Sequence, residues 1–78
     1  MNFYGEFKVG DYLRYKDKYG IIDDVFYDWE GKITVKIQWY TIDKDKQRIS
    51  GTQIKYHERE ILYEAERVEK SAVMVELL

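Results

Sequence analysis

The histidine at position 57 is the first residue to consider for chemistry, because the chain contains no other histidine and no cysteine. A metal site at His57 would need two or three more donors, and no other residues offer metal-ligand spacing. The two serines, Ser50 and Ser71, do not lie in the strained turn of a nucleophile motif. We therefore interpret His57 as an ordinary surface or strand-end residue, and we expect no catalytic residue, no bound metal and no cofactor.

Four acidic residues cluster between positions 23 and 30 and could form a general acid/base pair or a cation site: Asp23, Asp24, Asp28 and Glu30. No nearby pattern predicts a cleft that would raise the pKa of a carboxyl group. The oxygen-ligand spacing of a calcium-binding loop is also missing. We interpret these acids as a solvated acidic rim, and we expect a binding module rather than an enzyme.

The aromatic residues carry a clearer indication, since Tyr, Trp and Phe make up 17% of the chain. Trp29 falls at the tip of a predicted hairpin, where a large ring on a tight turn would dominate the energetics of an interface. The alternative is that Trp29 folds back and caps the core. If it is exposed, the predicted protein-binding residues are Trp29, Tyr27 and Tyr40 as anchors, with Asp28 and Glu30 attracting a basic partner.

Basic residues concentrate in two segments and offer an alternative from a different class of function. Together with one tyrosine they could bind nucleic acid through Lys16, Lys18, Tyr19, Lys44, Lys46 and Arg48. Asp17, Asp43 and Asp45 interrupt both segments, and the net charge is −2, so a mixed-sign solvated surface explains the same pattern. A third hypothesis is a self-associating structural protein that pairs through Val73 to Leu78.

These side chains must be positioned by strands, and the strongest strand pattern covers residues 33–40. Ile33, Val35, Ile37 and Trp39 alternate with polar or outward residues, which predicts a half-buried antiparallel strand. Tyr12–Tyr15, the segment from Ile21 to Tyr27 with a bulge at Asp23–Asp24, and Ile49–Tyr56 predict three further strands. The turn over 28–31 predicts a hairpin, with Gly31 in a left-handed conformation. The predicted core is Val9, Leu13, Ile22, Val35, Ile37 and Ile54.

Beyond Glu58 the pattern changes to helical spacing. Ile61, Leu62, Ala65 and Val68 would share one face of a short helix, and the surrounding glutamates favour helix formation. The residues from Val73 to Leu78 could then add a last short strand. Because a few short strands need a second layer, we expect the sheet to curl into a small barrel.

Several segments carry a resemblance to a known family: Val9-Gly10-Asp11, Tyr19-Gly20-Ile21-Ile22 with Val25, and the strand ending at Trp39. The chain resembles an SH3-like barrel of the KOW or Tudor type, over residues 7–69. This implies a mainly β fold of about five strands with one short C-terminal helix. KOW modules that bind RNA or DNA keep basic residues near this segment, whereas this chain has Asp23 and Asp24.

The sequence therefore predicts one domain over residues 1–78, with a barrel core at 7–69 and a strand or tail at 71–78. The chain is also similar in outline to small phage and mobile-element proteins, which implies an accessory protein that binds a host protein in the host cytoplasm. No segment has the roughly 20 apolar residues of a membrane span. We expect a protein partner, no membrane contact, and a monomer or weak homo-oligomer; nucleic acid is the alternative partner.

Overall fold

Five antiparallel strands and a short helix make up the fold in a computed structural model, which describes residues 7–43, 45, 48–71 and 73, with the backbone alone at 42 and 48. The elements in chain order are β1 (Tyr12–Tyr15), β2 (Lys18–Tyr27), β3 (Ile33–Asp43), β4 (Arg48–Glu58), α1 (Ile61–Glu64) and β5 (Glu66–Val68). The strands form one sheet in the order β4-β3-β2-β1-β5. The mainly β, five-stranded prediction is confirmed. Among the described residues no ladder joins β4 to β5, so the sheet is open.

The alternation along β3 places its apolar residues in the core as predicted. Val35, Ile37 and Trp39 are buried with Leu13 and Ile22, and Phe7 and Leu62 complete the cluster. β3 pairs with β2 on one side and β4 on the other, so its side chains can be covered only from the two faces of the sheet. β3 therefore contributes more buried residues to this cluster than any other strand.

Two residues of the predicted core lie at the surface instead. Val9 is 54% exposed and Ile54 is 49% exposed. Val9 lies in the turn before β1, where Gly10 has a φ of 95°. Ile54 pairs with Gln38 in the β3–β4 ladder and so lies on the face opposite Val35 and Ile37. The β3–β4 register therefore exposes Ile54, and the position of Val9 in a turn exposes Val9.

β2 begins at Lys18, three residues before the predicted start at Ile21, so the turn between β1 and β2 is short. Tyr15 pairs with Lys18, which leaves a two-residue connection of Lys16 and Asp17. Both have positive φ, 48° and 63°, as a type I′ hairpin turn requires. The register shift between Ile22 and Asp24 confirms the predicted bulge in β2.

The predicted short helix after β4 is present, but it covers fewer residues than the helical spacing indicates. β4 continues through Glu58, α1 covers only Ile61–Glu64, and Ala65 is already extended with ψ 151°. No side chain caps the helix at Glu60, and four residues are too few for helix propensity alone to stabilise it. The following residues form β5, which pairs with β1 because the ladder supplies hydrogen bonds that a frayed helix end would lack.

A second apolar cluster lies on the opposite face of the sheet. Tyr19 and Val73 are buried in it, and the partly buried residues packed against them are Tyr12, Tyr40, Ile49 and Val68. Val73 belongs to the segment predicted as a last strand, 73–78. Its backbone is helical, like that of Lys70 and Ser71, and its amide donates to the carbonyl of Glu69 at 3.2 Å. Residues 74–78 lie outside the described part.

Candidate functional site

The hairpin between β2 and β3 presents Trp29 at its tip with 91% of its surface exposed. Asp28 fixes the turn, because its Oδ1 accepts hydrogen bonds from the amides of Glu30 and Lys32, each at 2.9 Å. The backbone of Asp28 also closes the turn with Lys32 and Gly31, whose φ is 80°. The indole therefore projects from a turn held by several hydrogen bonds, and it does not cap the core.

The surface beside Trp29 combines an aromatic side chain with a shallow hollow. Tyr27 is 64% exposed, and it lines a hollow of about 410 Å³ at the base of the hairpin. Two ion pairs border this region, Lys32–Glu30 at 3.6 Å and Arg59–Glu60 at 3.7 Å. The remaining lining residues are Gly31, Ile33 and Glu58. A partner could bury the two rings here and meet carboxylates at the rim.

Tyr40 does not join this surface. It lies seven residues beyond Ile33 along β3, which is about 23 Å in an extended strand. Its ring stacks on Tyr12, with the centroids 6.4 Å apart and the planes at 10°. Partial burial raises the pKa of the Tyr40 hydroxyl, and a hydrogen bond with Tyr12 raises it further. Tyr40 is thus a packing residue of the second apolar cluster, and the predicted anchor set is divided.

The residues predicted to bind nucleic acid are also divided. Tyr19 is only 7% exposed and packs in the second cluster, so its ring is not available for stacking on a base. Lys16 and Lys18 are exposed at the β1–β2 turn. Lys44, Lys46 and the side chain of Arg48 lie outside the described residues. The structure instead brings Lys16 and Lys18 together with Lys55, which sequence reasoning did not select, around a hollow of about 450 Å³.

His57 lies in the wall of that hollow and has a structural partner. The indole N–H of Trp39 donates to His57 Nε2 at 3.0 Å, and the rings meet edge to face with centroids 5.6 Å apart. Accepting this bond requires an unprotonated Nε2, so the neutral ring carries its proton on Nδ1. Burial lowers the pKa of His57, and the nearby charge of Lys55 lowers it further. Lys55 and His57 are two residues apart on β4, and this spacing predicts that they share one face of the strand. The residues of β3 that lie on the same face follow only from the β3–β4 register.

Three of the residues considered for catalysis, Asp23, Asp24 and Ser50, are engaged in structural contacts. Asp23 forms an ion pair with Lys36 at 3.0 Å, and Asp24 accepts the amide of Val25 at 2.9 Å. The Ser50 hydroxyl donates to the carbonyl of Thr41 at 3.2 Å. Ser71 is exposed.

Within the described ranges, no group of three or more histidine or acidic side chains is arranged to hold a metal ion. In the same part of the chain, no helix has the length and apolar character needed to cross a membrane. Comparison with family models, with characterised proteins and with solved structures finds no match for this chain.

Proposed function

We propose that this chain is a non-enzymatic protein-binding module that uses Trp29 as its principal anchor. Exposure of this indole on a fixed turn is the observation that carries the proposal. Burying an aromatic side chain of this size removes on the order of 200 Å² from water. At about 25 cal/mol per Å², this is worth up to roughly 5 kcal/mol before the costs of association.

The rigidity of the turn adds to the case. Because Asp28 already holds the backbone through the amides of Glu30 and Lys32, binding would not have to order the loop. A pre-ordered anchor loses less conformational entropy on association than a mobile one. Tyr27 offers a second exposed ring next to the same turn. Trp29 and Tyr27 together are the anchor that we propose.

The proposed scaffold is an SH3-like barrel. Support comes from the strand order, in which β1 to β4 follow one another as a meander and β5 returns to pair with the free side of β1. The short helix α1 supplies the connection from β4 to β5. In this form the β2–β3 hairpin is a projecting loop of a small rigid body, which suits recognition of a partner.

The partner expected at this site has an apolar socket for Trp29 and a basic rim. Glu30 follows Trp29 in the chain, and Glu58 and Glu60 line the hollow at the hairpin base. Their charges would attract lysine or arginine side chains at the edge of the socket and increase the association rate. This electrostatic contribution should weaken as salt is added.

The test compares proteins captured by the immobilised wild-type chain with those captured by a Trp29→Ala variant. Tyr63→Ala is a matched control, because Tyr63 is also a largely exposed ring but lies on α1. We expect Trp29→Ala to lose specific captures that Tyr63→Ala retains, as measured by quantitative mass spectrometry. A purified captured protein should also shift the emission of Trp29 to shorter wavelength. Equal capture by the wild-type and Trp29→Ala chains would refute the proposal.

A further inference from the structure

Two adjoining hollows share Tyr15 and His57 as lining residues. His57 pairs with Val35 in the β3–β4 ladder, so it lies on the same face of the sheet as Val35. The first, of about 450 Å³, has three lysines and a single acid in its lining: Lys16, Lys18, Lys55 and Asp17. The second, of about 370 Å³, has three glutamates and no lysine or arginine in its lining: Glu58, Glu60 and Glu64. We call the two hollows together the bipolar groove.

The basic end of the bipolar groove carries charge that the described residues do not neutralise. Lys16, Lys18 and Lys55 take part in none of the salt bridges found in the described part of the chain. The ammonium of Lys16 lies 5.2 Å from the centre of the Tyr15 ring. This contact is a cation–π interaction, which leaves the positive charge in place.

The acidic end of the bipolar groove is only partly neutralised by the described residues. Glu60 has an ion pair with Arg59 at 3.7 Å, whereas Glu58 has none among the described residues. Glu64 accepts a hydrogen bond from the Tyr15 hydroxyl at 3.1 Å, which holds its carboxylate beside the shared wall. Opposite charges therefore face each other across Tyr15 and His57.

The centre of the groove is uncharged near neutral pH. His57 accepts the indole N–H of Trp39 and is held in its neutral form. Tyr15 contributes a phenol ring that packs near Trp39, with the centroids 6.5 Å apart. A ligand crossing the centre would meet aromatic surface rather than charge.

We propose that the bipolar groove binds an extended peptide segment of a protein partner in which acidic residues and basic residues are separated by a short uncharged stretch. From Lys55 to Glu58 along β4 is three residues, or about 10 Å. An extended peptide spans that distance with about three residues, which sets the length of the uncharged stretch. Its acidic residues face the lysines and its basic residues face the glutamates.

The acidic end also excludes a uniformly charged ligand. A phosphate backbone or a wholly acidic peptide that enters along the lysines would next meet Glu58, Glu60 and Glu64, and like charges repel. The groove does not include Trp29, but it shares Glu58 and Glu60 with the hollow at the hairpin base. The Trp29→Ala variant and the lysine reversals, which each change only one of the two sites, therefore distinguish this proposal from the proposed anchor.

The experiment titrates the ¹⁵N-labelled chain with synthetic peptides and follows its amide chemical shifts. The first peptide is Glu-Glu-Gly-Ala-Gly-Lys-Lys, and the second has the same composition with alternating charges, Glu-Lys-Gly-Ala-Gly-Glu-Lys. We expect the charge-separated peptide to bind several-fold more tightly, with shifts concentrated at Tyr15, Lys18, Lys55, His57 and Glu58. Two further probes are Glu-Glu-Gly-Ala-Gly-Glu-Glu and a seven-nucleotide oligo-dT.

Paired charge reversals test each end of the groove. Lys18→Glu with Lys55→Glu, and separately Glu58→Lys with Glu60→Lys, should each weaken binding of the first peptide about three- to ten-fold, as expected for two exposed ion pairs. The lysine control is Lys8→Glu with Lys70→Glu, which makes the same change in net charge outside the groove. Trp29→Ala is the second control, and neither control should alter the affinity. Combining both groove reversals should restore binding, since the peptide can then lie in the opposite direction.

Four outcomes would overturn the proposal. They are no saturable binding of the first peptide, equal binding of the alternating peptide, tighter binding of the acidic peptide or oligo-dT, and binding that is insensitive to the glutamate reversals. The amide spectrum of each variant shows directly whether it is folded, so loss of structure is distinguished from loss of binding.

Discussion

Gly20 in β2 provides a stringent test of the packing of the core. A Cβ at this position would lie 2.9 Å from Cγ2 of Ile37, 2.9 Å from Cε3 of Trp39 and 3.1 Å from the carbonyl oxygen of Gln38. Ile37 and Trp39 are both buried, so neither can move aside into solvent. Inserting a methyl group into such a core costs about 1–3 kcal/mol. Replacing glycine also restricts the unfolded chain, which returns about 0.4–1 kcal/mol.

We therefore expect Gly20→Ala to lower the free energy of unfolding by about 1–2 kcal/mol. Gly51→Ala in β4 is the matched control, because a Cβ there meets no atom within 4 Å and the residue is not in the left-handed region. It should leave stability unchanged or raise it by about 0.4–1 kcal/mol. Urea unfolding followed by far-UV circular dichroism and tryptophan emission measures both. Equal stability of the two variants would refute the close approach of β2 and β3 at Gly20.

Three further predictions follow from the turns and from the histidine. Lys16→Asn with Asp17→Gly should raise the free energy of unfolding by about 1 kcal/mol, because both positions have positive φ; unchanged urea midpoints would contradict this. The pKa of His57, measured by NMR, should lie below its ordinary value. The contribution of His57 to the free energy of unfolding should therefore be complete above about pH 6.5 and should be lost as the pH falls through the lower folded-state pKa. A His57→Gln variant should lack this pH dependence. Asp28→Ala should lower stability by about 1 kcal/mol and broaden the amide resonance of Trp29, since the turn loses two hydrogen bonds to its backbone.

The parts of the fold that could be predicted from sequence are those governed by local alternation. β3 was predicted with the correct buried face, because Ile33, Val35, Ile37 and Trp39 repeat with the period of a strand over a long run. The β2–β3 turn followed from the position of Gly31 in a short polar connection. In both cases the deciding interactions lie within a few residues along the chain.

β5 could not be predicted because its three residues carry no local strand pattern. Their pairing with β1 joins Tyr12 to Val68 and Arg14 to Glu66, far apart in sequence. An ion pair of 2.6 Å between Arg14 and Glu66 accompanies that ladder. Helical spacing around Ile61 was a real local signal, but it extended the predicted helix into residues whose backbone hydrogen bonds are satisfied by the sheet.

The exposure of a candidate site residue could be predicted from sequence only where it depends on the local turn in which the residue lies. Trp29 met that condition. Tyr40 did not, because alternation places it on the face opposite Trp39 but cannot tell whether a second layer covers that face. Val73 belongs to that layer and packs near Tyr40. The bipolar groove likewise depends on the β3–β4 register, which brings Lys55 and His57 onto the face of Ile37 and Val35.

The distribution of burial over the sheet leaves the hairpin end uncovered. Near Trp39 and Tyr40 both faces of β3 are covered, one by each apolar cluster. At the opposite end of the sheet, Phe26 and Tyr56 remain exposed and contact each other edge to face, 6.2 Å between centroids. Four exposed rings therefore lie at the hairpin end of the sheet: Phe26, Tyr27, Trp29 and Tyr56. This exposed aromatic surface is where we propose that a protein partner binds.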